Sequence, residues 1–119
     1  ARKEIFDVKE GTYYPSDALI MFSNYIERHV IDGRLYVWGN GSDFDNVILA
    51  STYDRIGMPK PWNFRDNRCY RTLKNTFPEV EPMDNPNNVA HNAAHDAFRQ
   101  AAHALAIFNH IRNLNPAGD

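Results

Sequence analysis

One cysteine in 119 residues, Cys69, is too few for an intrachain disulfide, so packing and hydrogen bonding must hold this chain together. It also favours a reducing compartment, because cystine-dependent domains concentrate in oxidising ones. Excess charge is equally scarce: 13 Lys and Arg stand against 15 Asp and Glu, a formal net charge of -2, with a sequence pI ≈ 6.2. No global positive field therefore draws polyanions in from a distance, and any nucleic-acid binding must be built locally. No apolar run approaches the ~20 residues that span a bilayer, and nothing resembles a secretory leader. No repeat or low-complexity tract interrupts the chain. The expectation is a cytoplasmic protein with no membrane partner.

What is present suits a single domain over residues 1–119, burying ~65% of the surface its unfolded form would expose. The chain opens in mid-pattern, ARKEIFDVKEG, without an initiator methionine, so an N-terminally truncated domain is expected. Residues 1–7 read as the end of a helix closed by Gly11 and Pro15. Ser16 is placed to cap the next helix, whose apolar residues Leu19, Phe22, Tyr25, Ile26 and Val30 recur at steps of three and four before Gly33. RLYVWGN, residues 34–40, packs β-branched and aromatic side chains into a run bounded by glycine, the pattern of a largely buried strand with Trp38 in the core. FDNVILASTYDRI predicts a helix capped by Ser42 or Asp43 and ended by Gly57. Residues 58–68 are irregular with a short strand expected around Trp62 to Phe64, and RCYRTLKNTF begins extended and continues as a helix. Prolines and asparagines make 78–88 a loop. A last helix runs from about Asn92 to Leu114, its apolar stripe formed by Ala94, Ala97, Phe98, Ala101, Leu105 and Phe108.

One strand between helices implies an α/β sheet, yet a lone strand leaves backbone donors and acceptors unpaired. Either an upstream segment or a homo-oligomer partner is expected to complete the sheet.

The chemistry concentrates in VAHNAAHDAFRQAAHAL, residues 89–105. His91 and His95 are four apart, the spacing of two imidazole zinc ligands on one helix face, with His103 as a third candidate two turns on. The zinc-protease pattern HExxH needs a glutamate where Asn92 stands, so its general base is absent, and exposed helix histidines are the plainer reading. A different pairing uses His91 with Asp96. Five residues apart on one helix they diverge by about 140°, so they converge only if His91 sits in the loop before the first turn. A second carboxylate, Asp45, follows the glycine-rich WGNGSDFDN at a strand end, where open α/β sheets hold their ligands. Two aspartates and a histidine suit Mg²⁺ or Mn²⁺, hard ions that take oxygen ligands and share them with phosphates. Each signal alone is weak, since an aspartate such as Asp45 is more often a capping residue.

VWGNGSDFDNVIL, RCYRTLKN and VAHNAAHDAFRQAAHAL together resemble the second and third motifs of the DEDD exonuclease superfamily, histidine subtype. The likeness is to phage and prophage 3′–5′ exonucleases of the ribonuclease-H-like fold, including the exodeoxyribonuclease VIII type. It extends over nearly the whole chain, with ARKEIF and SDALIMFSNYI included. The resemblance implies the C-terminal part of a ribonuclease-H-like domain, with a short strand portion of the sheet and flanking helices. It implies two-metal hydrolysis at nucleic-acid 3′ ends, with Asp45 and Asp96 as metal ligands and His91 as general base. It assigns Asn40, Gly41 and Phe44 to the loop and wedge beside the terminal nucleotide. The family's first motif, D-x-E, supplies two further carboxylates, and no D-x-E occurs in these residues. Activity of the chain alone is therefore expected to be low or absent, and a non-catalytic nucleic-acid-binding or interaction remnant is the alternative. His95 stands where many relatives carry an acidic residue.

Arg65, Arg68, Arg71 and Lys74 recur at steps of three and could grip a phosphate backbone if the segment is helical, Arg68 and Arg71 foremost. Trp62, Trp38 and Tyr70 are candidates to stack on bases of a single-stranded or 3′-ended nucleic acid, DNA or RNA, although Trp38 in an apolar strand reads as core. Two metals sharing substrate oxygens would need the carboxylates of Asp45 and Asp96 within about 8 Å of each other.

Overall fold

The computed structural model of the chain describes residues 13–83 and 92–114. Within them lie four α-helices and a two-stranded parallel sheet, a mixed α/β arrangement. In chain order the elements are α1 (Pro15–His29), β1 (Val37–Gly39), α2 (Asp45–Ile56), a 3₁₀ turn (Phe64–Asp66), β2 (Asn67–Cys69), α3 (Tyr70–Thr76) and α4 (Ala93–Leu114). The chain forms two compact units, residues 1–68 and 69–119. Among the described residues no helix is long and apolar enough to cross a membrane.

The first unit is organised by the β1–α2–β2 succession, since parallel strands need a crossover and a helix is the usual one. Helix α1 begins at Pro15, whose missing N–H costs nothing in a first turn. Tyr14 occupies the capping position without a side-chain bond, so Ser16 lies inside the helix and does not cap it. Helix α2 likewise starts after Phe44, not at a Ser42 or Asp43 cap. Its end follows the sequence: Gly57 adopts φ 76°, the left-handed conformation that a Cβ penalises.

Strand β1 is shorter and less buried than its apolar run predicts. Leu35, Val37 and Gly39 turn inward while Tyr36 and Trp38 are 45% and 41% exposed. A run apolar at every position cannot reveal which side faces solvent, and here the pleat alternates. Trp38 is therefore not a core residue. The core of this unit is Leu19, Tyr53 and Trp62, with Phe22, Val37, Leu49 and Met58 packed against it. The Tyr53 ring meets Trp62 edge-on at 5.7 Å, and its hydroxyl donates to the Leu19 carbonyl (3.2 Å) and pairs with Ser23 Oγ (2.7 Å). Trp62 is thus a core residue, unavailable for stacking on bases.

In the second unit, Asn92 opens α4: its side-chain oxygen accepts from the His95 N–H at 3.1 Å, and its carbonyl from the Asp96 N–H at 2.9 Å. The buried face of α4 is carried by His103 and Ile107, and the expected stripe faces outward, with Phe98 76% exposed. Alanines have little area to remove from water, so one isoleucine outweighs them and rotates the helix. His103 is buried because both ring nitrogens are satisfied. Val80 O, which can only accept, lies 2.6 Å from Nε2, so Nε2 carries the proton and Nδ1 accepts from the Tyr70 hydroxyl at 2.5 Å. Burial pushes the Tyr70 phenol above its ordinary value of 10.0, with the Arg99 guanidinium opposing. Glu79 and His110 form a second link, Oε2 to Nε2 at 2.9 Å.

Candidate active site

The turn from β1 into α2 is set by close approach. A Cβ on Gly39 would lie 2.3 Å from Asn46 Oδ1, a distance at which something must shift, and a tight 3.0 Å from Asp45 Cβ. Gly41 follows with φ 96°, and its carbonyl accepts from the Phe44 and Asp45 amides at 2.9 and 3.0 Å. This tight loop delivers Asp45 to the first turn of α2, where the helix dipole favours a carboxylate. Asp45 Oδ2 accepts from the Asn40 N–H at 2.9 Å, which fixes the carboxyl against the end of β1 while the residue stays exposed.

Asn40 and Phe44 flank that carboxylate differently. Among the described residues Asn40 Oδ1 is buried without a hydrogen-bond partner. Phe44 is 64% exposed and presents a flat apolar surface beside Asp45. Beneath the loop, Asn46 is buried and its Nδ2 donates to Val37 O at 2.9 Å and to Asn67 Oδ1 at 2.8 Å. Asn67 Oδ1 also accepts from Trp62 Nε1 at 2.9 Å, so one polar chain ties β1, α2, β2 and the core tryptophan together. Sequence reasoning missed Asn46 and Asn67; for Asn46 the available signal was an asparagine at an otherwise core-facing helix position, which must find partners if buried, whereas Asn67 on β2 carried none.

Asp96 lies in the first turn of α4, half-buried, with Arg99 Nη2 at 4.0 Å from Oδ1. Asp45 belongs to the first unit and Asp96 to the second, while the expected general base, His91, lies outside the described residues. Among the described residues no group of three His, Cys, Asp or Glu side chains gathers as a metal site. His103 cannot serve as a third zinc ligand, because Tyr70 and Val80 occupy both its ring nitrogens.

The basic residues do not share one helix. Arg65 is in the 3₁₀ turn and Arg68 in β2, while Arg71 and Lys74 belong to α3, so their spacing of three does not produce a single phosphate-gripping row. Arg68 is half-buried: Nη1 donates to the carbonyls of Arg65 and Asn67, each at 3.0 Å, and its guanidinium sits 4.3 Å over the Tyr36 ring. Arg71 is exposed. Tyr70, a stacking candidate, is buried against His103, their rings edge-on at 5.6 Å.

Residues 1–108 match the family model described as the 3′-5′ exoribonuclease Rv2179c-like domain. No curated protein and no solved structure matches the chain.

Proposed function

The chain belongs to the Rv2179c-like 3′–5′ exoribonuclease family, and from that premise we propose that it removes nucleotides from the 3′ ends of single-stranded RNA by phosphodiester hydrolysis. The observation that carries this reading is Asp45, a solvent-facing carboxylate held by the Asn40 amide at the end of β1, where Gly39 lets the start of α2 pack against the strand and Gly41 makes the turn. The ribonuclease-H-like fold and the histidine subtype belong to the same proposal.

Asp45 and Asp96 offer hard oxygen donors in first helical turns, the chemistry that Mg²⁺ or Mn²⁺ takes. We read them as part of a larger set, because the D-x-E of the resembled family is not among these residues. Divalent ions bound there would acidify a coordinated water and stabilise the leaving 3′-oxygen. His91 takes the proton of the attacking water, a role that an imidazole, mostly neutral at cell pH, can fill. Phe44 braces the terminal base, Asn40 and Gly41 shape the loop around it, and Arg68 and Arg71 face phosphates.

The test is trimming of a 5′-labelled single-stranded oligoribonucleotide with Mn²⁺, by this chain and by a form that carries a D-x-E upstream. The extended form is expected to shorten 3′ ends progressively, and the chain alone weakly or not at all. His91→Ala should slow the extended form by roughly 10²-fold or more, and Asp45→Asn and Asp96→Asn should do likewise. Unchanged rates in all three variants would remove the reading. The second reading, a binding remnant, is favoured by the absent D-x-E and predicts association without metal-dependent trimming in either form.

A further inference from the structure

The first unit carries an aromatic and arginine surface of which the proposed function uses only Arg68. Tyr36 stands just before β1, 45% exposed, with Arg68 Cζ 4.3 Å and Arg34 Cζ 5.1 Å from its ring centre. Phe64, 75% exposed, opens the 3₁₀ turn and has Arg65 Cζ 5.6 Å from its ring. The parts are joined by short contacts: Arg68 Nη1 bonds the Arg65 carbonyl at 3.0 Å, and Arg34 Nη2 meets Asp66 Oδ1 at 3.2 Å. Asp66 is the one carboxylate in this set, against three guanidinium groups. The local charge is therefore positive on a chain whose net charge is -2.

A second observation gives the surface a direction. A groove of about 480 Å³ is lined by Phe22, Tyr25, Tyr36, Trp38 and Asp45 among others. Tyr36 and Trp38 point the same way along the extended chain, roughly 6.6 Å apart at the usual rise per residue. That step is comparable to the reach of one unstacked nucleotide. Asp45, Trp38 and Tyr36 thus line one groove, and Arg68 and Arg34 lie over the Tyr36 ring.

We propose that Tyr36 and Phe64, with Arg34, Arg65 and Arg68, form a stacking track that holds the single-stranded part of the RNA upstream of the 3′ end engaged at Asp45. The substrate class rests on the exoribonuclease reading given above. Exposed rings accept any base on their faces, and a guanidinium lying over a ring extends the platform while meeting phosphates. Arg68 is preorganised for this, because its Nη1 bonds to the turn hold its plane over Tyr36. An apolar core patch would not place arginines over two exposed rings, and a purely electrostatic patch would not expose the rings.

The test is equilibrium binding of a 5′-fluorescein single-stranded oligoribonucleotide to the full chain in EDTA, where hydrolysis cannot intervene, over a range of salt. Tyr36→Ala and Phe64→Ala are each expected to weaken binding roughly tenfold, the loss that removing one stacked base carries. Tyr36→Phe and Phe64→Tyr should bind as the parent does, which separates stacking from misfolding, with thermal melts as the check on folding. Arg65→Ala should lower the slope of log affinity against log salt by about 0.7, one single-strand phosphate. Parent-like binding by both alanine variants overturns the track, as does equal weakening in every variant, the aromatic replacements included. Failure of the exonuclease reading appears separately: binding that depends on Tyr36 and Phe64, with no trimming when Mn²⁺ is supplied to the form carrying D-x-E, leaves the track standing and removes the hydrolysis.

Discussion

Gly39 is constrained by its surroundings, not by its own dihedral angles. Its missing Cβ is the space that Asn46 Oδ1 occupies, so Gly39→Ala must push the Asn46 side chain off the partners it has in Val37 and Asn67. Overpacking of this kind costs roughly 1–3 kcal/mol, read as a lower urea midpoint with an unchanged slope. Asn46→Ala should cost about as much, because it strands the Val37 carbonyl and half of the Asn67 bridge. The double variant should cost less than the sum of the two, since the oxygen that the added methyl group strikes is then gone. Of these residues the sequence showed only the aspartate next door. WGNGSDFDN announces a tight loop and an acid in the first helical turn, and both are found at Asp45. Asn46 is set apart from Asp45 only by its steps of three and seven to Leu49 and Tyr53 on the inward face of α2, a pattern that does not reveal which partners a buried asparagine finds.

At the level of elements, the Tyr70–His103–Val80 chain fastens α4 to α3 and to the turn after it, and its strength depends on the phenol keeping its proton. Burial raises the Tyr70 pKa above 10.0, so the unfolded chain gives up this proton first as the solution becomes alkaline. Stability from this group is therefore complete below pH 10 and declines as pH climbs through the raised folded value. Tyr70→Phe should flatten that alkaline limb in melts, at a cost near neutrality of roughly 1–3 kcal/mol from the lost hydrogen bond. Glu79 behaves in the opposite sense: a backbone hydrogen bond and the contact with His110 hold its carboxyl below the ordinary 4.5. Its contribution is present above pH 4.5 and disappears as pH falls through the lowered value, and Glu79→Gln should remove that dependence from acid titrations followed by circular dichroism. The same elements show where sequence patterns succeed. Gly57 ends α2 as expected, and the extended start of RCYRTLKNTF followed by a helix is what β2 and α3 display. The face of α4 was misread because counting apolar letters favours Phe98 and Leu105, whereas a buried histidine with two partners and one Ile107 decide the rotation.

For the molecule as a whole, the described residues bury six large apolar side chains, Leu19, Ile26, Tyr53, Trp62, Tyr70 and Ile107. Against a usual folding free energy of about 5–15 kcal/mol, losing any one of them matters. Tyr53, fully enclosed and bonded through its hydroxyl, is the most consequential: Tyr53→Ala should cost roughly 3–5 kcal/mol and abolish the cooperative melt, whereas Tyr53→Phe should lower its midpoint modestly. The α/β character was legible from one strong strand between helices. The division into two compact units was not, since neither composition nor a linker of Gly, Ser or Pro marks the step between Arg68 and Cys69.

The tautomer of His103 has an outcome that a spectrometer can follow. Its ring proton sits on the nitrogen facing a peptide carbonyl and is sealed from solvent by the same packing that hides the phenol. That proton should trade places with deuterium only when the second unit opens, long after those of His29, His95 and His110 have exchanged. A late-disappearing imidazole resonance would clock the opening of this part of the chain without any engineered label.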